Sequence, residues 1–119
     1  MNETEQRIAI AKACGIKTTT RGKYSRHWRN QFFEHSPCNA DNGSELPDYL
    51  NDANTSQELI DHLWEKGYSC VITHEGKRTD CHFVRRENHH TVMISRTGKA
   101  SGIIAEAFLK TLGLWEELK

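Results

Sequence analysis

From Arg21 to Arg29 the chain reads Arg-Gly-Lys-Tyr-Ser-Arg-His-Trp-Arg, four cations interleaved with three rings. Arg21, Lys23, Arg26 and Arg29 are suited to phosphate contacts, and Tyr24, His27 and Trp28 to stacking on bases or filling a partner's pocket. Arginine and tryptophan also dominate the energetics of protein interfaces. The competing reading is structural. Trp28 would pack into the core, and the cations would answer the seven acids between Asp41 and Lys66. From His74 to Lys99 the balance is again basic, six cations to three acids. Arg85 and Arg86 therefore join the candidate anion- or partner-binding residues if their strand faces the arm's side.

Other reactive residues are present without the spacing that chemistry needs. His74, His82, His89 and His90 cluster late in the chain, with Cys81 beside His82. A zinc ion needs about four converging ligands, and adjacent strand residues point to opposite faces, so no metal site is expected. His82 with Asp80 or Glu87 is the one acid–base pair to nominate. No glycine-flanked serine, phosphate loop or paired carboxylate accompanies it, and a non-catalytic protein is expected. Cys14, Cys38, Cys70 and Cys81 show no C-x-x-C spacing and read as reduced structural thiols. Asp48 and Asp52 read as carboxylates complementing a helix N-terminus rather than as metal ligands.

The elements that would position these groups follow from periodicity. A helix is expected over Asn2–Ala13, capped by Thr4 and closed by Gly15. Residues 16–45 read as an irregular basic arm and loop, with a short strand over Trp28–Phe33 and a loop over Ser36–Ser44. Leu46-Pro47-Asp48-Tyr49 leads into a second helix. There Thr55-Ser56-Gln57-Glu58 matches a capping box, and Leu59, Ile60, Leu63 and Trp64 form the apolar stripe. Three strands follow, Tyr68–His74, Asp80–Arg86 and His90–Arg96, in an antiparallel meander whose middle register is open. A last helix spans Lys99 to Leu112. The fold class is thus α+β, a three-stranded antiparallel sheet with two to three helices packed on it.

Bulk properties agree with one domain over residues 1–119. The chain is 36% hydrophobic and 27% charged with no net charge, an ordinary globular composition. No apolar run approaches the ~20 residues of a membrane span, and Met1–Arg7 lacks the features of a secretory signal. A cytoplasmic location with no membrane partner is expected.

Three segments carry a resemblance. Ile8–Gly15, Pro47–Asn54 and Ala105–Trp115 are similar, in order, to the first, central and last helices of the phage ABA-sandwich domain family. The chain departs from that pattern in its long basic arm, and in Thr55-Ser56 where the family has methionine-histidine. The resemblance implies a fold and a phage or prophage origin, hence a bacterial host's cytoplasm, and carries over no catalytic residue. The leading expectation is an accessory protein that binds a host macromolecule, foremost a host protein, and inhibits a host process such as antiviral defence. The alternatives are a nucleic-acid binder using the arm, and an oligomer, such as a homodimer, that sequesters an anionic nucleotide. No cofactor is expected.

Overall fold

A computed structural model describes residues 1–27 and 30–116. Its elements are α1 (Glu3–Ala13), β1 (Thr18–His27), β2 (Asn30–Asn39), α2 (Ala53–Glu65), β3 (Tyr68–Glu75), β4 (Arg78–Arg85), β5 (Thr91–Thr97) and α3 (Ala100–Thr111). The expected α+β class is observed, with a second, two-stranded sheet added to the meander.

Side-chain caps decide where the helices begin. Asn2, not Thr4, starts α1: its Oδ1 accepts from the Glu5 amide at 2.8 Å, and its Nδ2 donates back to the Glu5 carboxylate. Asp52, not Thr55, starts α2, accepting from the Asn54 amide at 2.9 Å. An extended aspartate three residues upstream takes the orphan N–H first. Thr55 then lies inside the first turn and donates to the Asp52 carbonyl at 2.8 Å. Asp48 holds the Asn51 side-chain amide, so the two carboxylates fix a turn and a cap in succession. Gly15 ends α1 at φ +85, a conformation costly for any residue with a Cβ.

The meander runs β3-β4-β5, fully antiparallel, with Val71, His82 and Met93 in one row and Ile72, Cys81 and Ile94 in the next. Cys81 and Phe83 face inward with no exposed surface, which settles the open register of the middle strand. All helices lie on that side: α2 against β3, α3 against β4 and β5, and α1 on α3. On the other face Val71 and Met93 stay more than half exposed. The core is centred on α3, where every residue from Ile103 to Leu109 is buried. Tyr49, Leu46 and Leu50 pack against it, and Tyr49 is among the largest fully buried side chains.

The expectation of an irregular arm over 16–45 is corrected. β1 and β2 form a hairpin paired from Thr18↔Asn39 to His27↔Asn30, ten residues on each strand. Ser36–Asn39, expected as loop, belongs to β2, and the strand expected over Trp28–Phe33 begins at Asn30. Trp28 and Arg29 lie outside the described residues. The hairpin escapes periodicity analysis because its residues do not alternate apolar with polar. Outside its own pairing it meets the body chiefly where β1 meets α1. The radius of gyration is 16.1 Å, against roughly 13–14 Å for a compact chain of this length.

Burial, with the nearby Cys14 and Glu58, pushes the Tyr49 phenol from its ordinary value of 10.0 up to about 12. Between those values the unfolded chain releases a proton that the folded chain retains. Stability therefore falls as pH rises from about 10 through about 12. Tyr49→Phe is expected to flatten that decline, which denaturant melts at successive alkaline pH values would measure.

Candidate functional site

The hairpin carries Arg21, Lys23, Tyr24, Arg26 and His27 on β1, while Trp28 and Arg29 lie outside the described residues. Four cations and one acid fall between Thr18 and Asn39. Register sets Arg21 opposite Ser36, Lys23 opposite Glu34, Tyr24 opposite Phe33, Arg26 opposite Gln31 and His27 opposite Asn30. A ten-residue strand extends roughly 33 Å, a row long enough for several phosphates. At its base the ribbon is fastened. The Ala40 amide donates to the Lys17 carbonyl, and Cys38 bridges to Glu45.

Arg85 and Arg86 stand apart from that row, because the meander shares no strand with the hairpin. Arg85 ends β4 opposite Tyr68 and pairs with Glu87 at 3.5 Å. Arg86 lies 3.9 Å over the centre of the Trp64 ring and donates to the Trp64 carbonyl at 2.8 Å. Its backbone amide also donates to the Gly67 carbonyl. The guanidinium therefore clips the end of α2 to the sheet through the attraction of a cation to a ring face. Arg78 is likewise engaged by Asp80 and Ser95, and Arg96 by Glu106.

His82 sits on the open face between Val71 and Met93. Its nominated partner Asp80 accepts from Ser95 and from Arg78, and these bonds hold its carboxyl below the usual range. Cys70 and Cys81 are hydrogen-bonded across β3 and β4. That contact lowers the Cys70 thiol and raises Cys81 strongly, with burial adding to the rise of Cys81. Among the described residues no group of three or more His, Cys, Asp or Glu side chains converges to hold a metal.

A second site escaped the sequence reading. At the N-terminus of α3 lies a cleft of about 550 Å3, bounded by Lys99, Gly102, Glu106, Arg96, Asn51 and Trp115. Lys99 occupies the cap position without a side-chain cap bond, and its Nζ reaches Asn51 Oδ1 at 3.4 Å. Glu106 is the lone acid on the buried helix, its side chain 6% exposed. One of its oxygens pairs with Arg96 at 3.1 Å. The other, Oε2, has no hydrogen bond and lies 3.8 Å from the Lys110 ammonium. Lys110 in turn stands 5.4 Å from the centre of the Trp115 ring. Two signals were available in the sequence: Gly98-Lys99-Ala100-Ser101-Gly102 between strand and helix, and one acid inside an apolar run.

Comparisons with protein-family models, curated proteins and solved structures find no match to this chain.

The Glu106 geometry has a testable consequence for stability. Arg96→Ala leaves a buried carboxylate short of its closest cation and is expected to cost on the order of 1–3 kcal/mol. Glu106→Gln removes the charge while keeping an acceptor for Arg96, so it is expected to cost less. Urea denaturation of both single variants and the double variant would measure the coupling.

Proposed function

We propose that this chain is a non-catalytic binding protein whose β1–β2 hairpin engages an anionic macromolecule, with nucleic acid as the class that its charge and shape fit best. The observation carrying this reading is a two-stranded ribbon, joined to the body chiefly between β1 and α1, with three cations on β1 and one acid on β2. A two-stranded β-ribbon fits a major groove about 12 Å wide, and cations along a strand can follow a phosphate row. Arg85 and Arg86 contribute less in this reading, since both have partners within the body.

A host-protein target is the second reading. Apart from the bridge at its base, each hairpin strand keeps one edge free of strand pairing among the described residues, which suits addition of a partner's strand. The wider role, a phage or prophage accessory protein inhibiting a host process such as antiviral defence, rests on the resemblance of Ile8–Gly15, Pro47–Asn54 and Ala105–Trp115.

Fluorescence anisotropy with labelled single- and double-stranded oligonucleotides tests the nucleic-acid reading. Binding is expected at ~50 mM salt, with log affinity falling by about 0.7–0.9 per phosphate contacted for each unit of log salt. Replacing Arg21, Lys23, Arg26 and Arg29 by glutamine should abolish it while leaving the Tm nearly unchanged. No retention of either nucleic acid at ~50 mM salt would overturn this reading in favour of a protein target.

A further inference from the structure

Two of the four thiols stand together, in a sheet that shares no strand with the hairpin. Cys70 lies opposite Phe83 and Cys81 opposite Ile72 in the β3–β4 register, which makes the two cysteines diagonal neighbours. Both belong to the inward face: Cys81 and Phe83 have no exposed surface, and Cys70 shares the Phe83 row. Residues two positions off the directly opposite one remain within side-chain reach across an antiparallel pair. Here they meet, the two thiols being hydrogen-bonded to each other.

The two sulfurs differ in access and in charge. Cys81 is enclosed, whereas Cys70, on an outer strand of the sheet, is half-buried. The bond between them favours the thiolate of Cys70 and raises Cys81, with burial adding to the rise. The thiolate is the form that attacks an oxidant. Cys14 and Cys38 lie elsewhere, at the end of α1 and in β2. Burial raises the Cys14 thiol, and Cys38 is enclosed. Packing alone would be served by two enclosed sulfurs. An accessible thiolate with a second thiol in contact is the arrangement of a peroxide-sensitive pair.

We propose that Cys70 and Cys81 form a disulfide on reaction with hydrogen peroxide, Cys70 as the attacking sulfur and Cys81 as the resolving one. Helix α2 packs against β3, so a small oxidant fits where a bulky one such as oxidised glutathione does not. The Cys70 thiolate attacks one peroxide oxygen. An S–O bond forms, the O–O bond breaks, and hydroxide leaves to become water. Cys81 Sγ then attacks Cys70 Sγ. The S–S bond forms, the S–O bond breaks, and the departing hydroxide takes the Cys81 proton as a second water. Two thiols are oxidised and one peroxide is reduced.

Diagonal partners have Cα atoms roughly 7–8 Å apart, beyond the span of about 4.4–6.8 Å usual for disulfides. β3 has a strand on one side only, so it can shift towards β4 to close the bond. The product is strained, and a strained disulfide is readily reduced. No hairpin residue takes part, so this site and the proposed binding stand or fall separately.

Thiol counting and peptide mapping of the full chain, before and after a few molar equivalents of hydrogen peroxide at neutral pH, test the assignment. The oxidised chain, denatured for counting, is expected to lose two of its four thiols and to yield one linked peptide pair, Cys70 with Cys81. Dithiothreitol should restore all four. A chain with both Cys14→Ala and Cys38→Ala should form the same link. Cys81→Ala should stop at a Cys70 sulfenic acid, trapped by dimedone, and Cys70→Ala should leave Cys81 reduced. The map of the unaltered chain decides the matter even if Cys81→Ala does not fold. Four thiols surviving peroxide, a link through Cys14 or Cys38, a link between two chains, or Cys70 carried on to sulfinic acid would each overturn the pair.

Discussion

Helix α3 has seven consecutive residues, Ile103 to Leu109, with almost no exposed surface, and a helix apolar on every side must be covered on every side. The sheet covers one flank through β4 and β5, α2 a second, and α1 a third. Tyr49 and Leu50, in the lead-in to α2, join the same cluster. Asp48, Asn51 and Asp52 are the polar fixtures that bend the chain so those side chains reach it. Phe108 and Leu109 are the kind of residue whose truncation removes several kcal/mol, roughly 2–5 by general experience with buried side chains.

Covering α3 uses most of the body's apolar residues, and the rest of the molecule follows from what is left over. The sheet receives helices on one face only, so Val71 and Met93 remain exposed on the other. The hairpin meets the body chiefly between β1 and α1, and its strands answer each other's backbone groups. Glu106 is the exception inside the core. A carboxylate on a buried helix is tolerated where cations compensate it, and Arg96 and Lys110 supply that from β5 and from the next turn. Burial is thus concentrated in the body, to which the hairpin is joined chiefly between β1 and α1.

Much of the body was legible in the sequence because its burial is one-sided or complete. Leu59 and Leu63 are buried where the stripe places them and the three strands appear close to their expected bounds, whereas Trp64, expected in the same stripe, is more than half exposed beneath Arg86. Cap residues were misassigned by two or three positions at Thr4 and Thr55, since several hydroxyls and carboxylates compete and only backbone geometry selects among them. The hairpin was hidden because its residues carry no period-two alternation of apolar and polar types. Arg86 looked like a free cation because nothing local foretells its stacking on Trp64, 22 residues away. Glu106 went unremarked because a single acid in an apolar run looks like a surface position until the helix is seen to be enclosed.

If the hairpin carries the proposed binding, the body folds without it and does not bind. Thr18 and Asn39 are paired, so their Cα atoms stand about 5 Å apart and a short glycine linker can replace the ribbon. Retention of a labelled oligonucleotide by the linker variant, with its Tm checked on the same sample, tests that claim most directly. The account predicts an unchanged Tm and no retention. A variant that keeps the oligonucleotide, or one that cannot fold without the ribbon, would contradict it.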